Sequence, residues 1–345
     1  MYKRLIKRFD KVLLLLSVFA TMTFSVDKSY AQQEPHFTQY MFNRLSYNPA
    51  YAGSNGAMCL TGFYRNQWMG LTRQNPRTGE SESAAVQTMN ATFDMPVKFL
   101  HGGIGATLIT DQLGPWDNTY IKADYAYRLQ LPKGSLSFGL EAQLFLGQFD
   151  MRNLVGGDDI NDQDVIGSSS DPLLQALDER SDAMFDLAFG AYYLIPGKFY
   201  AGFSASKLLE TKSETLNWRN NRYYYFTAGY EWVIPTYPSL KVMPSALFKH
   251  DFASSDSWQL YGSVLVEYEN KVWGGIGARV NDAVSILGGF NISSFKIGIA
   301  YDISTSRLST VSKGSIELML RYCFKVENPP KPNTIYGNTR HGGIR

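Results

Sequence analysis

The chain has 345 residues, of which 44% are hydrophobic and 14% aromatic, and its formal net charge is +2. This near-neutral balance gives no support to nucleic-acid binding, which requires a concentrated basic surface. Two cysteines are too few for a disulfide scaffold, and they lack the CxxC spacing of a zinc site.

Residues 1–31 have the three parts of a cleavable signal peptide. A basic start is followed by the apolar run Val12 to Ala20 and by the small-residue ending Ser29, Tyr30, Ala31. We predict cleavage after Ala31. The leader carries six basic and two acidic residues, so the mature chain has a net charge of −2. The mature chain lacks a run of about 20 apolar residues, which excludes helical membrane spans.

Residues 32–56 contain the stretch HFTQYMFNRLSYNPAYAG, which is rich in aromatic residues but does not alternate as a strand would. Exposed to water, these aromatic side chains would form a large apolar patch, so we expect the rest of the chain to cover them. Asn48 and Pro49 predict a turn, and Gly53 gives the chain freedom to enter the first strand.

Fourteen later segments alternate apolar and polar residues with a period of two. The segment 135–146 is the clearest, with apolar residues at even positions and residues such as Ser137, Glu141 and Gln143 at odd ones. Such alternation predicts strands with one apolar face. Each segment is near, or longer than, the ~9–11 residues that a tilted strand needs to cross a bilayer. The segments are 57–68, 83–95, 102–111, 117–130, 134–147, 183–195, 198–207, 222–234, 239–249, 256–268, 271–280, 283–290, 294–303 and 314–324.

We therefore predict an all-β fold, an outer-membrane barrel of about 14 antiparallel strands over residues 57–324. A secreted β-sandwich is the alternative, because its strands also alternate. Aromatic residues near the predicted strand ends favour the barrel, since they match the interfacial girdles of membrane barrels. They are Tyr127, Tyr193, Trp232, Tyr268, Trp273, Tyr301 and Tyr322.

The connections alternate in length, as expected for long external loops and short periplasmic turns. The predicted external connections are 70–83, 111–118, 149–182, 208–221, 250–257, 280–282 and 303–314, and only 280–282 is short. An even strand count places both termini in the periplasm. We predict that residues 32–56 fold back into the lumen or across its periplasmic mouth as a plug. The alternative is an extra periplasmic subdomain.

Two further segments lie outside the wall. Within the acidic connection 149–182, a short predicted helix carries Leu173, Leu174 and Leu177 as an apolar stripe, which would cap the barrel or contact a partner. Its carboxylates lack the pattern of a calcium loop, so we interpret them as solvated. Residues 325–345 are predicted to be a periplasmic C-terminal tail.

Cys59 begins the first predicted strand and Cys323 ends the last one. These strands are antiparallel neighbours in a closed barrel, so a disulfide could clasp the seam in an oxidising compartment. The alternative is two small residues that merely fall close together, since a register shift of two residues would separate them.

Residues for catalysis or cofactor binding are not grouped in the sequence. His36, His101, His250 and His341 lie in separate segments, without the spacing of a metal site or an acid–base pair. The repeated string GGIGA lacks the spacing of a nucleotide-binding loop. We expect no enzyme activity, no metal and no cofactor.

The strings FTQYMFN, residues 37–43, and NPAYAGS, residues 48–54, occur in this order soon after the leader. They resemble the amino-terminal signature of the PorP/SprF family, outer-membrane proteins of the type IX secretion system and gliding motility of Bacteroidota. The matching positions that we single out are Phe37, Gln39, Tyr40, Met41, Phe42, Asn43, Asn48, Pro49, Ala50, Tyr51 and Gly53.

The resemblance implies a non-enzymatic barrel that binds other proteins. One branch of the family is a core secretion component that contacts a periplasmic ring complex. The other serves large secreted adhesins, supporting their secretion or holding their C-terminal domains at the cell surface. The expected partners are thus a secreted adhesin or its C-terminal domain, type IX secretion components and outer-membrane lipid.

A plugged barrel that transports hydrophobic ligands is the alternative of a different class. Charged residues that are predicted to face the lumen, such as Lys122, Asp124 and Glu141, argue against it.

Overall fold

The computed structural model describes residues 34–74, 81–97, 99–150, 179–251, 257–325 and 333–334. The predicted signal peptide, the predicted helix with Leu173, Leu174 and Leu177, and most of the predicted tail lie outside these ranges. Among the described residues, no helix is both long enough and apolar enough to cross a membrane.

The wall of the molecule consists of fourteen strands. They are β1 (Ala57–Gln67), β2 (Val86–Val97), β3 (Gly102–Leu113), β4 (Trp116–Leu131), β5 (Gly134–Asp150), β6 (Glu179–Ile195), β7 (Phe199–Ser206), β8 (Tyr223–Tyr230), β9 (Tyr237–His250), β10 (Gln259–Tyr268), β11 (Val272–Arg279), β12 (Ala283–Ile292), β13 (Phe295–Ser304) and β14 (Ser315–Lys325). Two short segments complete this sheet: Trp232–Ile234 pairs with β9, and Asn333–Thr334 pairs in parallel with the end of β4.

Every wall strand pairs antiparallel with its neighbours in the chain, and β1 also pairs with β14. The sheet therefore closes into a barrel, which confirms the predicted all-β fold of fourteen antiparallel strands. The predicted segments all overlap observed strands. Two small ribbons lie in the loops: Thr72–Gln74 pairs with Ser81–Ser83, and Lys212–Ser213 pairs with Trp218–Arg219.

Residue parity decides which side chains face out. Leu140 and Ile286 are 62% and 57% exposed on the outer surface, whereas Glu141 and Asp186 are buried inside. An outer belt of large apolar side chains around a polar interior is the arrangement of a membrane barrel, because lipid covers the belt. One girdle residue was assigned wrongly: Trp273 pairs with inward-facing Glu267 across β10 and β11, so it points into the lumen and is buried.

The two rims of the barrel differ. We call the rim where β1 begins and β14 ends the turn end, because its strand connections are short: 98–101, 132–133, 196–198, 231–236, 269–271 and 293–294. The opposite rim is the loop end. One predicted long loop, 111–118, is wrong. There β3 and β4 continue to Leu113 and Trp116, and only two residues join them, with Gly114 in the left-handed region at φ 60°.

The wall projects on one side of the loop end. β6 has 17 residues and its neighbour β7 has 8, and the short turn at the opposite rim puts the extra length at the loop end. At about 3.3 Å per residue, nine extra residues extend roughly 30 Å along the strand. The loop that joins β7 and β8, residues 207–222, packs against this projecting wall. Trp218 stacks on Phe145 and packs against Trp116, with ring centroids 5.9 and 5.1 Å away, and Asp186 accepts a hydrogen bond of 2.8 Å from the Leu209 backbone.

Candidate functional site

The lumen contains residues 34–56, which we call the N-terminal segment. It starts near the loop end with Glu34, passes through two 3₁₀ turns, Tyr40–Phe42 and Pro49–Tyr51, and reaches β1 at the turn end. Side chains of this segment, including Phe37, Gln39 and Ala50, are almost completely buried. The family-motif positions from Phe37 to Tyr51 are largely buried inside the barrel, and Gly53 lies where the segment leaves it.

The predicted turn at Asn48 and Pro49 forms the second 3₁₀ turn. The Asn48 side chain accepts a hydrogen bond of 2.9 Å from the Ala50 backbone, which caps the turn, and Pro49 occupies its first position. The same amide donates to two wall carbonyls, those of Ala191 and Phe203, at 3.0 and 3.2 Å. One side chain thus shapes the turn locally and joins it to β6 and β7.

A buried ion network holds the first turn against β1, β13 and β14. The Arg65 guanidinium lies 2.7 Å from Asp302 and 3.1 Å from Glu317, and all three side chains are at most 2% exposed. Arg65 also donates to the Thr38 hydroxyl at 2.7 Å. Glu317 accepts hydrogen bonds from the backbone N–H groups of Thr38 and Gln39 at 2.7 and 2.9 Å. Charge-assisted bonds of this kind are stronger than neutral ones, so the network is a firm attachment point for the segment.

A second charged cluster surrounds Glu34 near the loop end. The Lys207 ammonium lies 3.3 Å from its carboxylate, and the Tyr225 hydroxyl donates to it. Burial disfavours the charged form of Glu34, but the coulombic effects of Lys207, Lys122 and Lys249 outweigh burial and lower its pKa from 4.5 to about 2. Glu34 is therefore ionised at neutral pH.

Aromatic packing fixes the middle of the segment. Phe42 packs on Trp273, with ring centroids 5.0 Å apart, and the Lys296 ammonium lies 4.6 Å from the Phe42 ring centroid. The Tyr40 hydroxyl lies within 3.1 Å of the hydroxyls of Ser245 and Ser263, on β9 and β10. Aromatic and cation–π contacts depend on orientation, so they stabilise one arrangement of these side chains in addition to burying apolar surface.

The segment leaves the lumen beside Asp94 and Arg128. Arg128 donates to the carbonyls of Ala52 and Gly53 at 2.8 and 3.0 Å, and Asp94 accepts from the Gly53 backbone at 3.1 Å. Gly53 has φ 65°, and a Cβ there would lie 2.7 Å from the Met95 carbonyl oxygen, so this exit requires glycine.

Cys59 and Cys323, the seam cysteines, face each other in the β1–β14 register near this exit, and their sulfur atoms lie at bonding distance. That the bond forms in the cell stays a prediction.

The sequence reasoning did not single out several charged residues in the segment or facing it: Glu34, Arg65, Lys207, Lys249, Asp302 and Glu317. The alternation along the strands could have indicated that these side chains face the lumen, because charged residues such as Arg65 and Lys249 stand at inward positions of their strands. Sequence alone did not show which of them meet. Among the described residues, no group of three or more histidine, cysteine or carboxylate side chains could hold a metal ion.

Comparison with protein families gives a match over most of the chain. The family model of the type IX secretion system membrane protein PorP/SprF matches residues 29–322. Comparison with curated proteins gives no match.

Among solved structures, the chain is similar to the Ralstonia pickettii toluene transporter TbuX, with 11% identity and a TM-score of 0.46 over 81% of this chain and 92% of that one. It is also similar to the outer membrane protein Omp33 of Acinetobacter baumannii, with 8% identity and a TM-score of 0.42 over 78% and 99%. A mutant of the monoaromatic hydrocarbon channel TodX gives 10% identity and a TM-score of 0.46 over 82% and 94%. At these identities the likeness concerns the fold alone.

Proposed function

Because this chain belongs to the PorP/SprF family of type IX secretion system membrane proteins, we propose that it binds a secreted adhesin through the adhesin's C-terminal domain. It is a β-barrel of the bacterial outer membrane. In this role it supports secretion of the adhesin or anchors it at the cell surface, as a binding protein and not as an enzyme.

The occupied lumen is the observation that carries this proposal. The N-terminal segment acts as a plug, since it contacts opposite sides of the wall, from Ser204 on β7 to Glu317 on β14. Two small pockets beside it are lined by residues of the segment and by wall residues that include Ser263, Arg279 and Lys122. Because the segment fills the lumen, the two rims are the surfaces that a folded protein partner can reach.

The loop end is the rim that we assign to the secreted partner. It carries the projecting β4–β6 wall and the β7–β8 loop, which exposes Leu209 with 52% of its surface accessible. In outer-membrane barrels the long loops are external and the termini periplasmic. With this orientation the projecting wall stands outside the cell, within reach of a protein that has crossed the membrane.

The other two functions weighed from the sequence predict different contacts. A core secretion component would use the turn end, where Phe99 is 79% exposed, to meet a periplasmic ring complex. A transporter of hydrophobic ligands needs an apolar path through the lumen. Lys122, Asp124 and Glu141, which face inward and are buried in this structure, favour protein binding over that transport.

Affinity purification from outer membranes tests the proposal. The tagged protein is extracted in mild detergent, and the proteins that stay bound are identified and quantified by mass spectrometry. Recovery of a large secreted protein near one to one supports adhesin binding. Recovery of periplasmic ring components alone supports the core role, and the absence of any protein partner supports the transporter.

Two matched variants locate the contact. Leu209→Glu places a charge on the loop end, and Phe99→Glu places one on the turn end; both residues are exposed, so neither change buries a charge. We expect at least a tenfold loss of the secreted partner for Leu209→Glu and less than a twofold change for Phe99→Glu. The reverse result would assign partner binding to the turn end.

A further inference from the structure

Three lysines with buried side chains meet in the part of the lumen nearest the loop end. They are Lys122 on β4, Lys207 directly after β7, and Lys249 at the end of β9, and each is at most 5% exposed. We call them the lysine cluster. A buried ammonium group is costly unless it has a counter-charge and hydrogen-bond acceptors, so their partners decide what this site can do.

The three ammonium groups are paired to different degrees. Lys122 lies 3.4 Å from Glu141 and donates to the Ser46 carbonyl at 3.3 Å. Lys207 has one ion pair among the described residues, the 3.3 Å contact with Glu34, and its ammonium lies 5.7 and 5.4 Å from the ring centroids of Tyr120 and Tyr223. The same ammonium has no hydrogen bond of good geometry among those residues.

Lys249 lies 4.2 Å above the Tyr223 ring. Within the part of the chain that the structure describes, no carboxylate comes within 4.0 Å of it. Among the described residues, two carboxylates, Glu141 and Glu34, form direct ion pairs with the three ammonium groups of the lysine cluster. Asp124, Asp186 and Asp251 act on it from farther away.

Glu34 is the carboxylate that the N-terminal segment brings to this site. It precedes the first 3₁₀ turn and belongs to no strand, so moving it breaks no pairing of the wall. The Tyr225 hydroxyl donates to its second oxygen, so the Glu34 carboxylate has one hydrogen-bond donor and one ion-paired ammonium group, with the charges of Lys122 and Lys249 farther away. A small pocket lies beside it, lined in part by Pro35, Ile109 and Tyr120.

We propose that the lysine cluster is a binding site for the carboxylate of an acidic peptide, and that Glu34 occupies this site when no such peptide is bound. The inference rests on the proposed function in one respect: the peptide belongs to the secreted protein that is bound at the loop end. Lys207 and Lys249 then hold the incoming carboxylate, and Tyr225 donates a hydrogen bond to it.

An internal ligand weakens the binding of an external one. The apparent affinity for the peptide is the intrinsic affinity multiplied by the fraction of molecules in which Glu34 has left the site. If Glu34 occupies the site nine-tenths of the time, its removal raises the apparent affinity about tenfold. This competition gives a direct test on the purified, full-length protein.

The probe is a short synthetic peptide with blocked ends, a neutral fluorescent label and one central glutamate, and the control peptide carries glutamine in its place. Binding is measured by fluorescence anisotropy at low salt. We expect Glu34→Ala to bind the glutamate peptide about tenfold more tightly than the unmodified protein. Adding Lys207→Met or Lys249→Met to Glu34→Ala should weaken binding at least tenfold. The glutamine peptide should bind weakly to every protein.

The control substitutions lie on the β7–β8 loop, at the partly exposed Glu210 and the exposed Lys212. Glu210→Ala should not strengthen binding, and Lys212→Met added to Glu34→Ala should not weaken it. Folding of each variant is checked by the heat-dependent shift in gel mobility that closed barrels show. A Glu34→Ala protein that is folded yet prefers neither peptide would overturn the proposal, as would equal binding by the Lys207→Met and Lys212→Met proteins.

This peptide assay contains no secreted protein, so its result is separate from the affinity purification. Specific peptide binding without recovery of a secreted partner would support the carboxylate site and refute the proposed function. Recovery of the partner without peptide binding would support the proposed function and refute the carboxylate site.

Discussion

Replacing Arg65 by methionine should destabilise the barrel more than any exposed ion-pair change. Methionine keeps most of the side-chain volume but removes the charge that lies between Asp302 and Glu317. Asp302 keeps a second cation, Arg279, at 3.7 Å. Among the described residues, Glu317 keeps its hydrogen bonds from the N-terminal segment but has no other cation within ion-pair distance.

The ion pairs that remain decide how much free energy of unfolding Arg65→Met removes. Removal of one partner from a buried pair costs ~3–5 kcal/mol. Because Asp302 stays near Arg279, we expect the lower end of this range, a loss of about 3 kcal/mol. Adding Glu317→Gln should restore more than about 1 kcal/mol, since glutamine can still accept a hydrogen bond from the segment but carries no charge.

The assay is urea unfolding of the protein in detergent micelles or lipid vesicles, followed by the fluorescence of its six tryptophans. Arg219→Met is the matched control, because the Arg219 side chain is 55% exposed and pairs with Glu210 at 2.8 Å. Exposed pairs contribute ~0–1 kcal/mol. Arg65→Met should also speed trypsin cleavage after Arg44 by loosening the segment. Equal losses of stability for Arg65→Met and Arg219→Met would refute the reasoning.

Three further predictions concern the segment, the seam and the orientation. Gly139→Val should expel part of the N-terminal segment and raise its protease sensitivity, because a Cβ at Gly139 would lie 2.2 Å from the Ala50 backbone nitrogen. Gly288→Val is the control and should leave the protease sensitivity unchanged, because the nearest atom to a Cβ there is 3.8 Å away. A reducing agent should lower the free energy of unfolding by ~2–4 kcal/mol if the seam cysteines are bonded, and it should have no effect on a variant with serine at both positions. On intact cells, a membrane-impermeant thiol reagent should label Lys212→Cys at the loop end but not Lys133→Cys at the turn end; the opposite labelling would invert the proposed topology.

The wall strands were predictable because alternation is a local property of a strand. Successive side chains point to opposite faces, so Leu140 and Glu141 reveal their surroundings without any knowledge of the rest of the fold. The same rule predicted the strand count, and antiparallel closure predicted that Cys59 and Cys323 start and end neighbouring strands. A hairpin limit such as Gly114 was less predictable, since hydrophobic alternation fades where strands leave the lipid.

The orientation of Trp273 shows where local reasoning ends. Its position near a strand end is typical of a girdle residue, but the side it faces depends on register with Glu267 in the neighbouring strand. A shift of one residue reverses every side chain of a strand, so the amino-acid type alone could not decide.

The sequence by itself determined a membrane barrel, its approximate strands, the polar and apolar faces of its wall, and the presence of an unusual aromatic segment before the first strand. Only the tertiary structure decided the path of that segment and the residues that hold it. Thr38 meets Glu317 across 279 residues of chain, and Glu34 meets Tyr225 across 191. Contacts between such distant residues leave no periodic pattern in the sequence, because barrel closure and the packing of the lumen create them.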